Sequence, residues 1–597
     1  MHPLTEGRAD PSADGSTDGS DGGSRDRTAA SAELDRLATA FWEDVLETNP
    51  TFATVLGDRR FDDRLDDPTP AALTAVARRR RATAQAAGAI DGDQLTQPER
   101  FTRQMLIDEA EAQAASIEAG TTDWTVDPLN GPQTHFLDLV EYQTIGTPED
   151  GARMIARWRA IGPYLDELIA NVRRAATDGR VAVRAPVERT IDILRGLEAL
   201  PADDWKLAAP ARDEHADWSD ADLASFRTDL VAVVEDVAVP AFRRYREVLE
   251  SEILPLARPP EEAGLVHLPG GRAAYDAFIR VHTTLPLEPE AIHETGLREM
   301  DRIDREFVEL GGRLLGTTDL ASTLAALRAD PKLHFATSGE VFSTARRSLE
   351  RAVAAIPDWF GRLPKAACEV IPIPSHAEAH QTIAYYSWPA IDGSRPGRYY
   401  INLHAPETRP RYEAEALAFH EAVPGHHLQI AIAQELEGIP TFQRTLGSTA
   451  FAEGWGLYTE RLSDEMGLYT GDLDHFGILS FDAWRAGRLV VDTGMHALGW
   501  SRDQAVAYLR EHTALGENNI ENEVDRYIVW PGQALAYKIG QLEILRLRAD
   551  ARERLGERFD IKGFHDAVLG SGAVSLATLG QIVDAWVAER GASQLGG

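Results

Sequence analysis

Apolar residues recur every three or four positions along most of this chain. In "ELDRLATAFWEDVLE", Leu34, Leu37, Ala38, Phe41, Val45 and Leu46 fall on one face of a helix. The same period runs through "LTAVARRRRATAQAAGAI", "PERFTRQMLIDEAEAQAASIEAG", "GARMIARWRAIGPYLDELIANVRRAATDG", "SFRTDLVAVVEDVAVPAFRRYREVLESEILP" and "PEAIHETGLREMDRIDREFVELGGRLL". Side chains three and four apart share a helix face, so the fold is expected to be mainly α. No fixed-length repeat of a solenoid is visible.

The pattern changes once, in "ACEVIPIPSHAEAHQTIAYYSWPAIDGSRPGRYYINLHA". Two β-prone runs, residues 382–388 and 398–403, flank an "AIDGSRPG" turn, which predicts a hairpin. His376 and His380 are four apart in this stretch, but Pro372 and Pro374 argue against a preceding helix, so both are expected at the hairpin edge. Helical patterning then resumes to the end.

Length and composition add boundaries. A chain of 597 residues is too long for one ordinary core, so two or more helical lobes are expected, with one small sheet beside the candidate site. Residues 1–32 are rich in Gly, Ser and Asp and nearly free of large apolar residues, which predicts a disordered acidic tail. The remainder, residues 33–597, is expected to be the folded unit, with the site in the half from about 365 onward. No stretch is apolar enough to span a bilayer, and no signal core, twin-Arg signal or lipid-attachment Cys is evident. The expectation is a cytoplasmic protein. Cys368 is the only cysteine, which excludes an internal disulfide and a Cys-based zinc knuckle.

Net charge is −34, and the only lysines are Lys206, Lys332, Lys365, Lys538 and Lys562. Such a surface repels nucleic acid and anionic membranes. The acidic excess with lysine depletion predicts a protein adapted to concentrated salt, where charge repulsion is screened.

The candidate chemistry sits in "FHEAVPGHHLQ", residues 419–429. In the common His-Glu-x-x-His helix, two His one turn apart reach one zinc and the Glu serves as general base. Here His426 and His427 stand six and seven residues after His420. On a straight helix His426 would point about 120° away, and His427 would sit roughly 10 Å along the axis. Pro424 has no N–H for the His420 carbonyl, and Gly425 tolerates almost any backbone angle. A bulge there can return His426 to the place of the i+4 ligand. The bland alternative is a solvated helix end with clustered histidines. A third ligand is sought in "STAFAEGWGLYTERL", where Glu453 lies on an amphipathic helix and Glu460 is a weaker candidate.

The chain resembles the domain-of-unknown-function family eight hundred eighty-five, a group similar to gluzincin zinc metallopeptidases. The resemblance is carried by "FWEDVLETNPTFATVLGDRRFDDRLDD", "YDAFIRVHTTLPLEPEAIHETGLREM", "HEAVPGHHLQ", "FAEGWGLYTERL", "RLVVDTGMHALGW" and "EVDRYIVWPGQALAYKIG". It implies a gluzincin-like helical fold of two lobes around a deep cleft, with one zinc ion per chain, His420, His426 and Glu453 as ligands and Glu421 as general base. His427 is then placed just outside the ligand set.

Further groups come from "RYIVWPGQALAYKIG" and "VVDTGMHALGW". Tyr537 is the first choice for an oxyanion donor, against a core tyrosine with its hydroxyl satisfied. Arg526, Tyr527 and Lys538 are candidates for contacts around the metal or substrate, Lys538 because a compact charge suits a tight site. Asp492 and His496, four apart on a helix, are expected as a hydrogen-bonded pair lining the cleft, beside an equally plain structural reading. The function expected is a zinc-dependent hydrolase cleaving short peptides. The alternatives are a zinc hydrolase of a non-peptide amide or ester, and a non-catalytic helical binding protein with a vestigial site.

Overall fold

The computed structural model describes residues 28–374, 378, 382–390, 393 and 395–592. Helix α1 (Ala29–Thr48) starts inside the stretch assigned to the tail, because the Thr28 hydroxyl caps it by accepting the Ser31 N–H. Residues 1–27, and with them most of the expected tail, lie outside the described residues, as do His376 and His380.

Helices α2 (Pro70–Gly88) and α3 (Gln97–Glu118) follow, α3 opened by a reciprocal Thr96–Glu99 capping box. The helices between Pro132 and Val248 close a core of their own around Phe136, Trp158, Leu165, Trp205 and Phe242. A larger core draws on both ends of the chain. Leu34, Phe41 and Leu106 pack there with Phe442, Trp455, Ile544 and Leu579. Phe41 meets Phe442 edge to face at 5.6 Å, and Thr102 donates to Gln443 at 2.7 Å. The larger core thus spans both ends of the chain, and the separate helical core is cut from the middle of the sequence.

Helix α4 (Pro289–Leu314) precedes a three-stranded sheet of β1 (Cys368–Pro372), β2 (Ala384–Ser387) and β3 (Gly397–Ile401) in the order β1-β3-β2. Strands β2 and β3 form the expected antiparallel hairpin, with Ala384 opposite Ile401 and Ser387 opposite Arg398. Strand β1 adds in parallel, Cys368 opposite Gly397, a pairing that local turn chemistry cannot announce. After the sheet come α5 (Ala414–Glu421), α6 (His426–Glu435), α7 (Thr449–Glu465), α8 (His475–His496), α9 (Glu517–Val529), α10 (Leu535–Leu555) and α11 (Leu576–Ala592). The architecture is mainly α with one small sheet beside α5. From Phe476 to His496 every residue of α8 but Trp484 is buried, so its polar side chains must find partners inside the protein. Among the described residues no helix is long and apolar enough to cross a membrane.

Candidate metal centre

Helix α5 ends at Glu421, and α6 begins at His426 after a four-residue turn. Gly425 folds back over the end of α5, so that a Cβ there would lie 1.9 Å from the His420 carbonyl oxygen. Only glycine fits. The Ala422 carbonyl accepts the His427 N–H at 3.0 Å, and the Pro424 carbonyl accepts the Trp455 indole N–H at 3.0 Å. The expected bulge is thus a complete break in the helix. It turns the His420 and His426 rings edge to face, 4.7 Å apart between centroids and 86° between planes.

His427 goes the other way. Its ring bonds the Tyr386 hydroxyl at 2.8 Å and the Ala366 carbonyl at 3.1 Å, tying α6 to the sheet. Burial pushes its pKa down to about 4, so the ring stays neutral.

Helix α7 brings the carboxylate. Gly454 meets Gly540 of α10 backbone to backbone: a Cβ at Gly540 would lie 1.9 Å from the Ala450 carbonyl oxygen. This close crossing sets Glu453 and Tyr537 on adjacent helices. Gly456, one turn from Glu453, leaves room for His420, whose ring carbon Cε1 would lie 2.7 Å from a Cβ there. Glu453 Oε2 stands 3.7 Å from His420 Nε2 and 3.5 Å from His426 Nε2. One ligand atom from each of His420, His426 and Glu453 lies within 4.8 Å of the other two. Bonds of 2.0–2.2 Å at a tetrahedral ion put ligand atoms about 3.4 Å apart, so two imidazoles and a carboxylate at these distances fit zinc. Side-chain exposure is 13% at His426 and 22% at Glu453, which leaves an approach from solvent.

Glu460, two turns along α7 from Glu453, bonds His420 Nδ1 at 2.8 Å. With the proton of that nitrogen given to Glu460, Nε2 presents its lone pair to the site. Burial opposes charge on His420, but hydrogen bonds to Glu453 and Glu460 more than offset it and raise its pKa to about 9. Partial burial opposes charge on Glu453, yet the two imidazoles hold its carboxyl well below the usual range. The pocket thus favours a cation. Glu421 is half-buried beside His420; burial first, then the charge of Glu421, raises the Tyr399 pKa. Burial, then Glu453, raises the Tyr537 pKa, and the Arg488 guanidinium lies 4.3 Å over the Tyr537 ring.

Five expected neighbours of the site have other work. Lys538 is buried in ion pairs with Asp482 and Glu299 and donates to Gln541 at 2.8 Å, so it neutralises the interior rather than meeting a ligand. His496 accepts the Leu265 N–H at 3.2 Å and bonds the Tyr527 carbonyl at 3.0 Å; it does not pair with Asp492. Asp492 instead accepts from the Tyr275 hydroxyl and the Gly532 N–H, and burial pushes its pKa up to about 7. Arg526 and the Tyr527 hydroxyl both donate to Glu523, which also holds Arg488. They brace Arg488 from behind. The sequence reading missed Arg485 and Arg488, which share a face of α8 with Asp482, Asp492 and His496 at steps of three and four. That spacing was the available signal.

A cavity of about 670 Å³ lies apart from this site, lined by Arg81, Asp108, Trp124, Gly270, Arg280 and Ser575.

A mainly α protein with a His-His-Glu cluster across a broken helix is what the geometry defines. The chain belongs to the family of bacterial proteins of unknown function DUF885, which matches residues 50–583. No curated protein matches it. Its fold is similar to the crystal structure of the putative lipoprotein from Colwellia psychrerythraea, with a TM-score of 0.89 and 27% identity, over 94% of this chain and 100% of that one. It is also similar to a putative lipoprotein of unknown function from Shewanella oneidensis, with a TM-score of 0.73 and 18% identity, over 92% of this chain and 99% of that one. The likeness to putative lipoproteins overturns the expectation of a cytoplasmic protein, which rested on the absence of a recognisable export signal.

Proposed function

We propose that this protein is a zinc-dependent hydrolase of short peptides, acting outside the cytoplasm. The observation that carries the reading is the convergence of His420, His426 and Glu453 on one point, with Glu421 at the end of the same helix as His420. The order of these residues resembles that of gluzincin peptidases, and the likeness to putative lipoproteins supports the location.

Zinc held by such a ligand set supplies a Lewis acid and brings the pKa of water toward neutrality. Glu421 takes the proton of the attacking water and passes it to the leaving amine. The Tyr537 hydroxyl donates to the oxygen on which negative charge develops. Glu460 holds His420 in the tautomer that the ligand set needs.

Metal analysis of the purified chain should find one zinc. Glu421→Gln should keep that zinc and lower turnover of a peptide library about 100-fold or more. His426→Ala should lose the metal while His427→Ala keeps it. A chain that takes up no zinc after reconstitution, or a Glu421→Gln variant that turns over normally, removes the proposal.

A further inference from the structure

Helix α8 carries five ionisable side chains on one buried face: Asp482, Arg485, Arg488, Asp492 and His496. Four of them are accounted for by the protein. Asp482 takes Lys538, Arg461 and Arg302; Arg488 takes Glu523 and Tyr527; Asp492 takes Tyr275 and Gly532; His496 takes Leu265 and Tyr527. Arg485 differs. It is 5% exposed, and its Nε and Nη1 have no hydrogen-bond partner. Its guanidinium is stacked 4.3 Å from the Trp484 ring and 4.5 Å from Phe481, which fixes its plane without meeting its donors. Arg488, 3% exposed, also leaves Nη1 without a partner. A buried guanidinium without an acceptor is costly, so such donors mark a place for a ligand.

The place adjoins the metal centre. Arg485 lies 6.0 Å and Arg488 4.3 Å from the Tyr537 ring centroid, and Arg485 is close enough to Glu453 and Glu460 to feel their charge. Glu523 holds Arg488 and Arg526, whereas among the described residues Arg485 has no carboxylate within ion-pair distance.

We infer that Arg485, with Arg488 beside it, receives the C-terminal carboxylate of the peptide, so that cleavage removes one or two residues from the C-terminus. A charged guanidinium N–H donates strongly to a carboxylate oxygen, and Arg485 has two such donors, Nε and Nη1, without a partner. Consecutive Cα atoms are about 3.8 Å apart, so a terminal carboxylate one or two residues beyond the reacting bond lies about 4 to 8 Å from it. Arg485 stands beside Tyr537, the group assigned to the reacting carbonyl, which keeps the residues beyond the cut few. The inference names the substrate class for the hydrolase reading and rests on it.

The test is a binding measurement, so it reads out even without turnover. N-acetyl-Ala-Ala with a free carboxylate and its C-terminal amide are titrated calorimetrically into the full-length chain, with and without chelator. The acid should bind at least tenfold more tightly than the amide in both conditions. Arg485→Met should abolish that difference, and Arg485→Lys should keep part of it. Acid and amide binding alike, neither binding, or a contrast that survives in a folded Arg485→Met chain overturns the inference. Because the acid–amide contrast is read on the unaltered chain, a variant that fails to fold does not spare it. A chain that binds no zinc and cleaves nothing, yet prefers the acid, fails the hydrolase reading alone.

Discussion

His420 is held from three sides. Gly456 gives its ring room, Glu460 bonds Nδ1, and Glu453 stands 3.7 Å from Nε2. The two glutamates are seven apart on α7, which places both on one helical face. That much was legible in the sequence, and both were weighed there as the third ligand. Which one meets the metal position and which one turns the imidazole depends on how α7 crosses α5, and residue spacing within one helix does not carry that. The role of Glu460 is separable by experiment. Glu460→Gln keeps an oxygen able to accept from Nδ1 but removes the charge. Zinc affinity should then fall about 10- to 100-fold, the usual effect of altering the partner of a ligating histidine. Competition against a fluorescent zinc chelator measures it, and unchanged affinity would reduce Glu460 to a packing role.

At the scale of elements, the site depends on backbone that comes unusually close. The "EGWG" run puts Gly454 against α10 and Gly456 against His420, with Glu453 just before them and Trp455 between. The amphipathic helices and the hairpin were visible from periodicity alone, because each is a local pattern. The helix break was visible in outline, since Pro424 and Gly425 are local punctuation. Strand β1 and the polar face of α8 were not legible. The partners of α8 come from Tyr275, Leu265, Glu523 and Lys538, scattered over more than two hundred residues and joined only by folding. Gly456→Ala tests the element-level account. Its methyl would press within 2.7 Å of the His420 ring carbon Cε1, so the ring must shift and leave the position Glu453 faces. Zinc affinity should drop at least tenfold while the circular dichroism spectrum stays helical. Full zinc affinity in that variant would mean the ring has slack that the packing does not suggest.

For the whole molecule, the balance of charges decides how stability responds to salt. The chain has 95 acidic and 61 basic residues, so even complete one-to-one pairing would leave 95 − 61 = 34 carboxylates without a partner. Salt acts on this surface in two opposing ways. It weakens exposed pairs such as Arg36–Glu33, each worth about 1 kcal/mol or less. It also relieves repulsion among the unpaired carboxylates, since the screening length falls from about 10 Å at 0.1 M to about 3 Å at 1 M. Buried pairs such as Lys538–Asp482 are shielded from both effects. The paired groups lose little, while the excess carboxylates repel one another in every direction, so relief of repulsion should dominate. The Tm should therefore rise by several degrees between 0.05 M and 2 M KCl, followed by calorimetry at pH 7. Chloride is the right anion for this measurement, because sulfate would strengthen apolar burial in any protein. A Tm that stays level or falls over that range would show that the acidic excess is not an adaptation to concentrated salt. The scarcity of lysine would then need a cause outside surface electrostatics.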